Sequence, residues 1–244
     1  MTTLLDVRGL RKHYGPFTAL NGVDLSIAPG EFHGLIGPNG SGKSTLLKCL
    51  AGAEIPSSGT VAFDGVDVST LPPARRARRG ISLKFQITSV LPQLSAYENV
   101  QLAAQAHAGF FQLLLSQVRH DTAVTVEQLL NQFRLADVAD TPVAELSHGH
   151  QQWLEIAMAL AIRPRLLILD EPTSGMSVEE RRVTGELLSS LKRDGCSLLI
   201  VEHDLEFIRD LCHAITVLDQ GEVVATGSVS EIQANQKVRE AYLG

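Results

Sequence analysis

Two short runs in this sequence carry residue types suited to handling phosphate. Gly37-Pro-Asn-Gly-Ser-Gly-Lys-Ser-Thr45 fits the pattern G-x-x-x-x-G-K-[ST] and sits between a strand-like and a helix-like stretch. Glycines at such a turn let backbone N–H groups curl around an anion, and the start of the following helix adds partial positive charge. Lys43 is expected to reach the outer phosphates of a nucleotide, with Gly37, Asn39, Gly40, Ser41, Gly42 and Thr45 forming the cradle and Ser44 ligating Mg²⁺. The second run, Leu166-Leu-Ile-Leu-Asp170-Glu171-Pro172, is an apolar strand ending in two adjacent acids. A buried strand delivers both carboxylates to the C-terminal edge of a sheet, where ligands of open α/β folds collect. Asp170 then suits the Mg²⁺ shell, and Glu171 suits a base that orients and polarises the attacking water.

The elements that must position these residues follow from periodicity and turn signals. Strands are predicted over Leu4–Leu10, Gly22–Ile27 and Phe32–Ile36, followed by a helix from Lys43 to about Leu50. Asp64-Gly65 between apolar runs predicts a hairpin, and Ile81–Phe85 reads as a further strand. From about Thr88 to Ala161 the texture becomes helical, with Glu98–His107, Val124–Phe133 and Gln151–Ala161 as the periodic stretches. Strand patterns return at Leu166–Leu169, Leu198–Val201 and Ile215–Leu218, with helical segments between the first two pairs. That alternation predicts a mainly parallel, wound sheet. Gln220-Gly221 turns into a strand over Glu222–Thr226, and a helix from Val238 closes the chain.

Composition narrows the function classes. A length of 244 residues accommodates one α/β domain, or a core with a smaller appended subdomain. The net charge of −6 gives no overall basic field for nucleic acid. A local basic run at Arg75, Arg76, Arg78 and Arg79 reads as a solvated helical face. Cys49, Cys196 and Cys212 form no CxxC pair and read as reduced core thiols of a cytosolic protein. The start lacks a charged and apolar leader pattern, and the apolar runs fall short of the roughly 20 residues that cross a bilayer. Work at a membrane would therefore need a partner.

The two phosphate motifs alone leave kinases, helicases and GTPases open. The segment Leu146-Ser147-His148-Gly149-His150, placed before a long helix, resembles the LSGGQ signature of ABC ATPases, with histidines at the third and fifth letters. The resemblance runs from Leu4 to the tail. It implies an ABC ATPase fold: an α/β P-loop NTPase with a wound, mainly parallel sheet, an N-terminal antiparallel β region and a helical subdomain. On that reading residues 1–87 and 162–244 form the catalytic core, and about 88–161 the helical subdomain. Ser147 as helix N-cap, with His148 and Gly149, makes a second anion site suited to a γ-phosphate. A zinc site at His148 and His150 is disfavoured, because no third ligand lies nearby.

By the same resemblance, Tyr14 stacks on adenine, and Gln86 senses Mg²⁺ and the attacking water. His203 hydrogen-bonds the γ-phosphate, and Ser174–Ser177 takes the place of the family's D-loop, with Ser177 where an aspartate is common. ATP and Mg²⁺ are the implied cofactors. The implied partners are transmembrane permease subunits, a second ATPase subunit and an extracytoplasmic solute-binding protein, at the cytoplasmic face of the cell membrane. Lys84-Phe-Gln86, Gln152-Trp-Leu-Glu-Ile156, Glu171-Pro-Thr-Ser-Gly-Met176 and Tyr242-Leu-Gly244 resemble the ATPases of branched-chain amino-acid and urea importers. The alternatives are another transport system, such as lipid or lipopolysaccharide export, or a soluble ABC ATPase acting in DNA repair or translation. A small-molecule kinase is a third reading. Residues Ile87 to about Val100, with apolar Val90, Leu91, Leu94 and Tyr97, are the expected dock for the membrane subunit.

Overall fold

The computed structural model describes residues 3–84, 90–106 and 116–238. Strands β1 (Leu5–Tyr14), β2 (Phe17–Ile27), β4 (Ser58–Phe63) and β5 (Val66–Asp67) form an antiparallel sheet in the order β2-β1-β4-β5. A second sheet has the order β10-β9-β3-β8-β7-β6, built from β3 (Phe32–Ile36), β6 (Ile81–Lys84), β7 (Leu166–Asp170), β8 (Ser197–Val201), β9 (Ala214–Asp219) and β10 (Glu222–Gly227). Strands β9, β3, β8, β7 and β6 run parallel, and β10 is an antiparallel edge. The wound sheet and the antiparallel region therefore match the expected fold class.

Each central strand is buried on both faces, so its alternate side chains enter two different cores. Leu166, Ile168, Leu199, Val201 and Leu35 join the core shared with the antiparallel sheet and α1 (Lys43–Ala51). Leu167, Leu169, Leu198, Ile200 and Ile36 join the core beneath the remaining helices. That second core includes α3 (Ala96–Gln105), α4 (Ser116–Gln132) and α5 (His148–Ala161), which lie in the chain between β6 and β7. It also includes α6 (Val178–Ser190), α7 (Leu205–Leu211) and α8 (Val229–Ala234).

Helix starts follow local chemistry. Ser95 with Glu98, Ser177 with Glu180, and Ser228 with Glu231 each form a reciprocal capping box, which satisfies two orphan N–H groups at the start of α3, α6 and α8. The Asp64-Gly65 hairpin also forms, with φ of 52° and 74° at its two central residues, as a primed two-residue turn requires.

Strands β1 and β2 are longer than the periodicity predicts, reaching Tyr14 and starting at Phe17. The β1–β2 pairing is irregular at Val7/Leu10, Leu10/Arg11 and Lys12/His13, and each irregularity breaks the two-residue alternation that marks a strand in sequence. Helix α8 was not anticipated. Of the terminal helix expected from Val238, only Val238 itself, which is helical, lies within the described residues, and Phe85 at the end of its predicted strand lies outside them. The three cysteines are free and buried, as expected.

The basic run needs a correction. Arg75, Arg78 and Arg79 are exposed, but Arg76 on α2 (Pro73–Arg78) is 1% exposed. Its guanidinium donates to Leu71 O at 2.9 Å, Cys49 O at 2.6 Å, Leu50 O at 2.8 Å and Ser69 O at 2.8 Å. The last turn of a helix leaves carbonyls without intrahelical donors, and here a planar fork from α2 reaches those of α1. Arg76→Met should lower the unfolding free energy by about 2–4 kcal/mol, because several buried carbonyls lose a charged donor at once. Urea unfolding would check this, and a loss below about 1 kcal/mol would contradict the capping role.

Candidate active site

The Gly37–Gly42 loop leaves the end of β3 and enters α1 with no room for a side chain at Gly37 or Gly42. A Cβ on Gly37 would lie 2.1 Å from Leu218 O, and one on Gly42, at φ 104°, would lie 2.6 Å from Ala19 O. The loop is thereby wedged between β9 and β2. Gly221 N donates to Ser41 O at 2.9 Å, and Asn21 N donates to Gly221 O at 2.8 Å, so the β9–β10 turn ties the loop to the antiparallel sheet.

No side chain caps α1 and no acid lies in its first turn, which leaves the positive end of the helix dipole uncompensated. Lys43 is buried, and its Nζ donates to Gly37 O at 2.7 Å and Pro38 O at 3.0 Å. Burial lowers its pKa, while Glu171 and Asp170 act in the opposite direction. Ser41 Oγ is buried without a hydrogen-bond partner among the described residues. A phosphate fits this cradle: it supplies acceptors to Lys43, to Ser41 and to the N–H groups at the start of α1. The adjoining cleft of about 250 Å³ is lined by residues of the loop and α1, by Phe17 and by Glu171.

Tyr14 ends β1 with 41% exposure, and Lys12 Nζ stands 4.9 Å from its ring centroid. Lys12 also pairs with Glu54 at 2.8 Å. Across the tight turn, Phe17 is the aromatic that lines the loop cleft, a residue the sequence reading did not single out. Its only sequence signal is an aromatic just past the Gly15-Pro16 turn.

The two acids take different environments although they are adjacent. Asp170 is 8% exposed at the end of β7, and burial, with the neighbouring Glu171 charge, pushes its carboxyl up, against the pull of Lys43. Glu171 has φ 47°, a sparsely populated conformation for a non-glycine residue. Its N–H donates to Val201 O at 2.9 Å, which holds this bend against the end of β8. Since β7 and β8 are neighbours, His203 just beyond β8 meets Glu171, with Nε2 2.9 Å from Oε1. Glu202, which sequence reading missed as a site residue, is buried and accepts from Thr173 N at 2.9 Å and Thr173 Oγ1 at 2.7 Å. Burial raises its pKa despite those donors. It fixes the segment that follows Glu171, and an acid beside His203 at a strand end was its available signal.

Ser147 caps α5, accepting from His150 N at 3.3 Å, and the helix starts at His148 rather than at Gln151. A Cβ on Gly149 would lie 2.3 Å from Glu180 Oε1. His148 Nε2 lies 3.0 Å from Ser174 O, and because a carbonyl only accepts, Nε2 carries the proton. His150 packs edge-on against Trp153 at 5.3 Å. Ser177, where the resemblance expects an aspartate, caps α6 with Glu180. His148 thus sits against Ser174 and Gly149 against Glu180, while Gln86 lies outside the described residues.

A glycine-wedged loop with a buried lysine, opposite a strand-end acid and a strained glutamate held by histidine, defines a P-loop nucleotide hydrolase. The profile of the ABC transporter family matches residues 20–174, and that of the branched-chain amino acid ATP-binding cassette transporter matches residues 222–244. The chain is 32% identical to the high-affinity branched-chain amino acid transport ATP-binding protein BraF of Pseudomonas aeruginosa, over 99% of this chain and 98% of BraF. Among solved structures, the ADP conformation of the ATP-binding cassette MJ1267 superposes with a TM-score of 0.86 and 28% identity, covering 100% of both chains. The dimeric cassette MJ0796, bound to ADP and Pi after hydrolysis, gives a TM-score of 0.80 and 28% identity over 92% of this chain and 98% of that one. The protein belongs to the ABC transporter family and is an ATP-binding, ATP-hydrolysing subunit.

Glu171→Gln keeps the side chain's shape but removes the charge that polarises water. Its ATP turnover should fall by about 100-fold or more while ATP still binds. Steady-state phosphate release with a parallel nucleotide-binding titration checks this, and near-normal turnover would remove Glu171 from the role.

Proposed function

We propose that this chain powers an importer for branched-chain amino acids, urea or a related small polar solute. The observation that carries the reading is similarity to BraF along nearly the whole chain, joined by the separate match of residues 222–244. On this reading the chain works at the cytoplasmic face of the cell membrane with transmembrane permease subunits, a second ATPase subunit and an extracytoplasmic solute-binding protein. Among the described residues no helix is long and apolar enough to cross a membrane, which agrees with work through a permease. Residues 1–87 and 162–244 act as the catalytic core and 88–161 as the helical subdomain.

Two such subunits meet head to tail, so that each ATP lies between Lys43 and Ser44 of one and Ser147, His148 and Gly149 of the other. Gly37, Asn39, Gly40, Ser41, Gly42 and Thr45 wrap the phosphates, and Tyr14 stacks on adenine. Ser44 and Asp170, with Gln86, would hold a Mg²⁺ that neutralises charge on the outer phosphates; these hard oxygen donors suit that ion. Glu171 polarises the attacking water, Gln86 helps to position it, and His203 holds Glu171 and reaches the γ-phosphate. ATP favours the closed pair because contacts across the pair are made only there, and hydrolysis removes that preference.

The permease dock is assigned to residues 87–100. Of its apolar residues Leu91 is exposed, whereas Val90, Leu94 and Tyr97 are half-buried, and residues 87–89 lie outside the described residues. Cells lacking this chain should lose high-affinity uptake of radiolabelled leucine or urea. The unsubstituted chain should restore it and Glu171→Gln should not. Unchanged uptake of these solutes in the deletion strain would overturn the substrate assignment.

A further inference from the structure

A second polar cluster lies away from the phosphate loop, in the seam between β6 and α5. Lys84, the last residue of β6, donates from Nζ to Gln152 Oε1 at 2.5 Å and stands 3.0 Å from Glu155 Oε2. The side chains of Lys84 and Glu155 are each 4% exposed. An ion pair buried this fully is a poor source of stability, because an apolar pair of similar volume does as well or better. The best-attested use of such a pair is to fix how two elements sit against each other.

Here those elements are the two halves of the catalytic apparatus. Lys84 pairs in register with Leu169, the residue before Asp170. Gln152 and Glu155 share one face of α5 at i, i+3 spacing, and the N-terminal end of that helix is Ser147–Gly149. The helix is also fixed toward α6, where Trp153 Nε1 donates to Thr184 Oγ1 at 2.8 Å.

We propose that Lys84, Gln152 and Glu155 form a latch transmitting the position of Ser147–Gly149 to the strand end bearing Asp170 and Glu171, which makes hydrolysis at the two sites cooperative. The inference rests on the head-to-tail reading given above. In that arrangement Ser147–Gly149 contacts the partner's ATP, whereas Asp170 and Glu171 act on the chain's own. A rigid link between them within one chain is therefore a link between the two sites. Lys84, Gln152 and Glu155 are positioning residues, acting through the groups they hold.

The test is a double variant of the full chain, Lys84→Met with Glu155→Leu, which leaves no orphan charge behind. Its thermal melting should stay near that of the unsubstituted chain. Its KM for ATP should hold while kcat falls about 2- to 30-fold, and the Hill coefficient should fall from about 2 toward 1. Lys84→Arg, which can still engage both partners, should keep cooperativity. A double variant with normal melting and an unchanged Hill coefficient overturns the latch. Should the double variant not fold, Lys84→Met with Glu155→Gln is read in the same way, since it also removes both charges and the ion pair while keeping the volume of the Glu155 side chain. Ser147→Arg separates the two levels of the reading. If it leaves cooperative hydrolysis intact, the head-to-tail reading fails; if it abolishes cooperativity and the double variant does not, only the latch fails.

Discussion

The phosphate loop can lie where it does because Gly37 and Gly42 carry no side chain. One is pressed against the Leu218 carbonyl of β9 and the other against the Ala19 carbonyl of β2. Either added Cβ would fall inside contact distance of rigid backbone, so the loop would have to move and take Lys43 with it. Gly221 makes the same kind of approach, with a Cβ there 2.8 Å from Ala19 O. The two sheets and the loop thus meet in one three-way junction. This explains why the antiparallel sheet matters to the chemistry: it clamps the loop and carries Tyr14 and Phe17 at the end of one hairpin.

Around that junction two charges, on Lys43 and Asp170, stand where a phosphate and a cation would suit them better than their present neighbours. Lys43 is held by loop carbonyls, which are neutral acceptors and weaker partners for an ammonium than a phosphate oxygen. Asp170 is disfavoured as an anion by burial and by Glu171, and a cation beside it would offset both. Glu171 sits in a strained bend that its hydrogen bond to Val201 and its contact with His203 maintain. Strain of this kind survives only where the surroundings over-determine it, and here β7, β8 and the buried Glu202–Thr173 contact supply that support.

Much of the site was legible in the sequence because its parts are short and local. The phosphate loop, the acid pair and the hairpin at Asp64-Gly65 each need specific residue types at fixed spacing, and each lies where the pattern placed it. What escaped were features set by tertiary contacts. Arg76 looked like one of four surface arginines, and nothing in its neighbours announces that it alone reaches the carbonyls of Cys49 and Leu50. Bulges hid the length of β1 and β2. Phe17 and Glu202 acquire their places only when a hairpin closes and two strands pair. The substitution of serine at 177 has a local account in the structure, since Ser-x-x-Glu is a capping box and Glu180 completes it.

The central claim is that half of each ATP site belongs to a second chain, and a crosslink tests it most directly. The native thiols will not interfere: Cys49, Cys196 and Cys212 are buried, and burial pushes their pKa values up to about 11, 11 and 12. Asn39 and Ser147 are exposed, so Asn39→Cys and Ser147→Cys can be placed together on a Glu171→Gln background. A disulfide needs Cα atoms within about 7 Å. With ATP under mild oxidation, the account predicts a covalent species of twice the chain mass, formed only when both cysteines are present and lost without nucleotide. Absence of that dimer in the presence of ATP, or its formation by either single cysteine alone, would contradict the account.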